Sequence, residues 1–454
     1  MRISENTLLD SFEFKAFVWI PENPNDRQTG IVRVRAGEIT LELMGSFRGD
    51  ESPRLFMDGA LSPEIILGVS DEEKLFTLYQ CHEYFHRLFE IAPSSKFRAT
   101  RLYYGSHFDR AQDIIFTEMT VECTYLSEWL AVAPIDIKGV FTPGQVRSFE
   151  YGAPKTIFSV ALPCATLDFV IGVDGKMEAF KGVTLRHRAM VVIKPTEGQS
   201  RRWYEVTSRD LSALLTLLIG EPVYATRMTG WNPSPEYAIE TNIFSALFRP
   251  SIKPDIHPSE MPVAYDDVSD LAPALFQKWF EYADKLRPVY DLLCGTYYNA
   301  GSYEQSKFLA LMQAVETLHR RMDDARYWDQ EEYRNWLSGV MEHLPPLMPS
   351  ALKERLQRYL QYGNEYGLRK RLKLMLKSLD SLAQVIAPDA DDFIGLIYRT
   401  RNYLTHYEEQ DGPILRSTLD FHEANRRLTK ILKLVLFQQF GIDLKLPGAK
   451  FAKL

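Results

Sequence analysis

Up to about residue 248 the chain alternates apolar and polar positions with a period of two, as in GIVRVRAGEITLELMGSF (30–47), ATLDFVIGV (165–173) and LRHRAMVVIK (185–194). That period predicts strands with one buried face. Val32 and Val34, with Ile39, Leu41 and Leu43, fall on one face of a hairpin turning at Ala36 and Gly37. A helix is predicted over SRDLSALLTLLIG (208–220), capped by Ser208 and stopped at Gly220.

The pattern changes at residues 249–268, where Pro250, Pro254, Pro258 and Pro262 recur every four residues in a polar setting. Prolines so spaced preclude a helix and predict an extended linker. Beyond it apolar residues recur at three and four, in SKFLALMQAVETLHRRM (306–322), ALKERLQRYLQY (351–362), RKRLKLMLKSLDSLAQVI (369–386) and HEANRRLTKILKLVLFQQF (422–440). Short Gly, Asn and Pro connections between them point to an antiparallel helical bundle. The fold class expected is therefore α+β and multidomain: a β-rich N-terminal region (1–248), the linker (249–268) and an all-α C-terminal bundle (269–454). Repeats and low-complexity tracts are not evident.

Composition narrows the functional classes. With 454 residues, 45% hydrophobic and 25% charged, the chain has room for two or three ordinary globular domains. Its first residues, MRISENTLLDSFEFK, carry acids where a secretory leader needs an apolar run, and no stretch reaches 18 uninterrupted apolar residues. A cytoplasmic protein without a membrane partner is expected. Cys81, Cys123, Cys164 and Cys294 are too dispersed for a zinc or redox pair and read as reduced thiols. The net charge of −7 is uneven: residues 301–454 hold 23 Lys and Arg against 20 Asp and Glu, leaving −10 on residues 1–300. A polyanion should therefore prefer the C-terminal part.

Candidate chemistry concentrates at Arg401, Asn402 and His406, which spell R-N-x3-H inside a helical segment. An arginine fixes phosphate, and a histidine exchanges protons near neutral pH. On a helix Asn402 and His406 share a face, so the amide can orient the imidazole, whereas Arg401 lies roughly 140° away from His406 around the axis. For both to meet one phosphate the helix must end or bulge, or a second copy must approach across a two-fold axis. Asp411, Gly412 and Pro413 supply a stop signal within two turns, leaving His406 partly wet. The bare spacing recurs by chance on the order of once in a chain this long, so the surrounding sequence has to decide its meaning.

A second motif competes. His82, Glu83, Tyr84, Phe85 and His86 spell H-E-x-x-H, in which a helix would offer His82 and His86 to zinc and Glu83 as general base, with Glu118, Glu122 or Glu128 as a third ligand. The preceding KLFTLYQC reads as a strand end, which opposes that use.

A C-terminal bundle bearing R-N-x3-H resembles the HEPN superfamily, and FLALMQAVETLH as first bundle helix, GLRKRLKLML in the middle and YRTRNYLTHY at the motif resemble its ApeA-type members of bacterial anti-phage defence. IVRVRAGEITLELMGSF and SHFDRAQDIIFTEMTVECTYLSEWL are similar to the ApeA N-terminal region. The H-E-x-x-H segment is no part of that resemblance. What the resemblance implies is a metal-independent endoribonuclease that cuts host or phage RNA, tRNA included, to abort infection, with no cofactor. Arg401, Asn402 and His406 would be its catalytic set and the N-terminal region its sensor, answering a phage-derived trigger. Glu316 could be an acidic partner, and Arg369, Lys370, Arg371 and Lys373 could track an RNA backbone. A homodimer or higher homo-oligomer is expected, pairing the motifs across the bundles. The rival readings are a non-catalytic HEPN protein that binds nucleotides or partners, and the zinc metalloprotease.

Overall fold

Alternation in the N-terminal half becomes antiparallel sheet. The computed structural model describes residues 3–35, 37–47, 61–87, 94–132, 135–138, 148–151, 153–178, 181–232, 239–246, 256–323, 325–407 and 411–443. The chain forms two compact units, Met1–Gln277 and Lys278–Leu454.

In the first unit a 14-stranded sheet runs from Lys155–Leu162 at one edge, through Ala165–Glu178, Gly182–Pro195 and Glu118–Cys123, to Ala225–Asn232 and Ile239–Ser245. It continues through Arg101–Tyr104, Leu75–Tyr79, Ile65–Ser70, Phe12–Trp19, Gln28–Arg35, Glu38–Leu43 and Ser94–Ala99 to the opposite edge, His82–Arg87. The expected hairpin has the expected register, with Val34 opposite Ile39 and Val32 opposite Leu41. These side chains are buried with Phe14, Val18, Phe76 and Phe97 in one core, because alternation sends every second residue to the same face. Gly37 turns the hairpin at φ 79°, and Ala36 lies outside the described residues.

Helices α1 (Leu126–Leu130) and α2 (Arg201–Ile219) pack against this sheet. α2 ends at Gly220 in the left-handed conformation, as the sequence indicated, but it starts at Arg201. Ser208 is buried inside it, and Arg201 pairs with Glu205 at 2.6 Å across the extra turn. The Pro-rich stretch also departs from expectation. Residues 247–255 lie outside the described residues, but from Ile256 onward the chain forms two short 3-10 turns and buries Ile256, Met261 and Val263. The Val263 carbonyl accepts the Trp129 indole N–H at 2.9 Å. Prolines forbid a helix here, yet the apolar residues between them pack on the first unit.

The second unit is helical. α3 (Ala272–Tyr298) begins before the boundary and precedes α4 (Glu304–Met322), the helix expected to come first. α5 (Gln330–Glu342) and α6 (Ser350–Gln361) pack on each other. The periodic stretch 369–386 breaks into α7 (Leu368–Ser378) and α8 (Ser381–Ile386) at Asp380, which holds φ 48°. α9 (Ala390–His406) and α10 (Thr418–Gln439) complete the unit, α4 packing on α10 and α7 on α9.

Candidate active site

α9 carries the motif because its sequence separates two faces. Phe393, Ile394, Ile397 and Thr400 are buried, and Asp391 and Asp392 occupy the first turn, where the helix dipole favours acids. The helix stops at His406, Tyr407 adopting φ 55° and donating its N–H to the Tyr403 carbonyl at 2.6 Å. When the chain returns it is fixed against α9. The buried Thr400 hydroxyl donates to the Leu396 carbonyl at 2.8 Å and accepts the Leu415 N–H at 3.0 Å, while Arg399 donates to the Pro413 carbonyl at 2.9 Å. The end of the helix thus borders an open groove of ≈ 680 Å³ lined by Tyr403, Leu404, Tyr407, Gly412, Leu415, Arg416 and Phe421.

His406, the last residue of α9, is exposed, and no described residue hydrogen-bonds to its ring. Arg401 is half-buried. Its guanidinium donates to the Asn402 side-chain amide oxygen Oδ1 at 3.3 Å and lies 3.8 Å from the Glu316 carboxylate of α4. The amide expected to orient His406 therefore holds Arg401 instead, because Asn402 is its immediate neighbour and the guanidinium supplies the donors. The helix remains regular through the motif, so Arg401 and His406 stay roughly 140° apart and about 7.5 Å along the axis.

Behind Arg401 runs a charge network that the sequence reading missed. Glu316 pairs with Arg320 at 3.1 Å, Arg320 with Glu365 at 3.4 Å, and Glu365 with Arg371 at 3.3 Å. Arg371 is 2% exposed and donates to the Tyr366 carbonyl at 2.6 Å and to His319 Nδ1 at 3.2 Å. A guanidinium only donates, so His319 Nδ1 is the acceptor and carries no proton. Burial and the neighbouring Arg371 charge hold the His319 pKa below its ordinary value, in agreement with that assignment. The Glu316–Arg320 spacing of four was the available signal.

The expected basic run does not form one RNA-facing surface. Arg371 is inside, and Arg369 stacks over Tyr398 at 5.1 Å. Lys370 sits over Tyr366 at 3.5 Å and Tyr327 at 4.1 Å, and Lys373 pairs with Asp391 at 2.6 Å. Helix periodicity spreads consecutive residues around the axis, which a count of basic residues ignores.

H-E-x-x-H lies on the edge strand His82–Arg87 rather than on a helix. Glu83 pairs with Phe97 and Phe85 with Lys96, so Tyr84 is an extra residue. This bulge turns His82 and His86 to opposite faces, opposite Arg98 and Ser95 respectively. His82 bonds Ser62 at 2.7 Å, and His86 bonds Ser95 at 2.7 Å and approaches Glu83 at 3.3 Å. The zincin arrangement is therefore excluded, and Glu118, Glu122 and Glu128 join no metal cluster, since no group of three His, Cys, Asp or Glu fit to hold a metal occurs among the described residues.

Comparison with known protein families gives two matches. The model for ApeA N-terminal domain 1 covers residues 13–279, more than half of the chain, and the model for Apea-like HEPN covers residues 309–446. No curated protein and no solved structure gives a match.

Proposed function

Because this chain belongs to the ApeA-type HEPN family, we propose that it is a metal-independent endoribonuclease of anti-phage defence, with Arg401, Asn402 and His406 as its catalytic set. The observation that carries the reading is the exposed His406 imidazole at the open end of α9, with the Arg401 guanidinium on the preceding turn. The groove at this end is lined by the neighbouring Tyr403, Leu404 and Tyr407 and by none of the three motif residues.

RNA supplies its own nucleophile. The ribose 2′-OH attacks phosphorus, the P–O5′ bond breaks, and the products are a 2′,3′-cyclic phosphate and a 5′-OH. His406 moves the proton that leaves the 2′-oxygen or the one that the 5′-oxygen gains. Arg401 holds the scissile phosphate and stabilises its growing negative charge. Asn402 keeps one terminal nitrogen of the Arg401 fork oriented, and Glu316 attracts the other. The separation of Arg401 and His406 around one helix supports a shared site, in which two bundles meet so that arginine and histidine from different copies serve one phosphate. The homo-oligomer, the cytoplasmic location and the sensing role of the first unit belong to the same proposal. Among the described residues no helix is long and apolar enough to cross a membrane.

The test is RNA integrity after induction of wild-type, Arg401→Ala and His406→Ala chains, with purified protein assayed alongside in EDTA. Both variants should fold and leave RNA intact; wild-type cleavage by either removes the assignment.

A further inference from the structure

Lys433 presents an unusual problem for a helical bundle. It is 2% exposed on α10, makes no ion pair or hydrogen bond with any described residue, and lies 5.8 Å from the Tyr297 ring. Lys430, one turn earlier and 9% exposed, likewise has no ion pair with a described residue. Both line a cavity of ≈ 340 Å³ walled by the end of α3, the start of α4 and one face of α10.

The nearby acids are already used. Glu304 binds Lys307 at 2.8 Å and the Asn425 amide at 2.8 Å, with His422 at 3.8 Å, and Glu423 binds Arg426 at 2.9 Å. Two lysines therefore face the cavity with no acid of their own, so a charge on the buried Lys433 is costly unless an anion enters. Asn425 adds a buried carbonyl oxygen without a partner, an acceptor for a ligand hydroxyl. Thr296 and Thr429 contribute side chains to the same wall.

We infer that this cavity is a binding site for a small phosphate-bearing molecule, with its phosphoryl oxygens between Lys433 and Lys430. A space of this size holds on the order of ten waters, enough for a diphosphate or a small phosphate ester. None of Arg401, Asn402 and His406 lines it, so the site stands whether or not the chain cuts RNA.

Proton linkage follows from the surroundings. Burial pushes the Lys433 pKa down to about 7, Lys430 adds repulsion, and Cys294 acts in the opposite sense. The other groups at the cavity are Tyr297 from α3, Glu304 and Lys307 from α4, and His422 and Arg426 from α10. An entering phosphate favours the charged ammonium, so binding near pH 8 takes up a proton.

The experiment is calorimetric titration of the full chain with inorganic pyrophosphate and with phosphate at constant ionic strength in two buffers of different ionisation enthalpy, together with thermal melts. Wild type should bind and take up a proton, and chloride at matched ionic strength should not raise the melting temperature. Lys433→Met and Lys430→Met should each weaken binding at least tenfold, while Lys433→Met melts no lower than wild type without ligand. His406→Ala should bind as wild type does. Wild-type binding by Lys433→Met, or a pyrophosphate effect no larger than that of chloride, overturns the site. If Lys433→Met fails to fold, wild-type binding by Lys430→Met does so equally.

Discussion

The Thr400 hydroxyl is the point at which the sequence after the motif is fastened to the helix that carries it. Thr400→Val keeps the shape and buried methyl but deletes the acceptor of the Leu415 N–H, held at 3.0 Å, and the donor to the Leu396 carbonyl. The Leu396 carbonyl keeps its helical bonding, whereas the Leu415 amide is left buried and unpaired at a cost of about 1–3 kcal/mol. Every 1.4 kcal/mol is tenfold in an equilibrium, so local opening should rise about 5- to 150-fold. The loss falls on the segment of Gly412, Ile414 and Leu415, which line the groove with Tyr403 and Tyr407. Hydrogen exchange should show the Leu415 amide exchanging faster by that factor, with amides of α10 unchanged. RNA cleavage should fall roughly ten- to a hundredfold, the usual consequence of a displaced catalytic group. Thr400→Ser, which retains the hydroxyl, should recover most of the protection and activity. Unchanged Leu415 protection and full activity in Thr400→Val would show that this tether neither holds the return segment nor supports the site.

Other consequences are open to direct measurement. Burial lowers the folded Lys433 pKa from 10.5 to about 7, so the unfolded chain binds the extra proton between those values. Without phosphate, Lys433 should contribute more to wild-type stability as pH rises from 7 toward 10. That contribution is read as the difference in slope between wild type and Lys433→Met in urea titrations, since the buried thiols of Cys81, Cys123 and Cys294 act in the opposite sense in both proteins. Trp129→Ala removes a fully buried indole and its bond to Val263, and should cost about 3–5 kcal/mol in chemical denaturation of the first unit. His82→Ala with His86→Ala should leave cleavage intact and alter no metal content by elemental analysis; loss of one bound zinc together with activity would restore the metal reading of that strand. Increasing His406→Ala in mixtures with wild type should depress activity more steeply than dilution if the site is shared; a fully active monomer would contradict sharing.

Much of the architecture was legible because burial imposes short periods on sequence. Val32, Val34, Ile39 and Leu41 announced both a hairpin and its register, since a slip by one residue would expose all of them. Gly220 and the stop after His406 marked real helix ends, where the backbone needs left-handed or non-helical geometry. Asp380 gave no such warning: the apolar period runs on through 369–386, although the backbone breaks at Asp380 with φ 48°. The prolines of 249–268 said what the chain could not form, but Val263 and Met261 determined where it packs. At the candidate site the motif residues were readable, whereas the Arg401–Asn402 contact and the Glu316–Arg320–Glu365–Arg371 network depend on side-chain directions and on helices distant in sequence. Lys433 was hidden for a related reason. In the sequence it is one more lysine of an amphipathic helix, and only the packing of α3 and α4 reveals that it is buried without an acid.

The most direct measurement is the chemistry of the RNA ends left by purified wild type and His406→Ala in the presence of EDTA. Wild type should release fragments ending in 2′,3′-cyclic phosphate, or its hydrolysed form, and beginning with 5′-OH, while His406→Ala should be slower by about 10² to 10⁴. Fragments beginning with 5′-phosphate, or equal cleavage by the two proteins, would contradict a transesterification site built on Arg401 and His406.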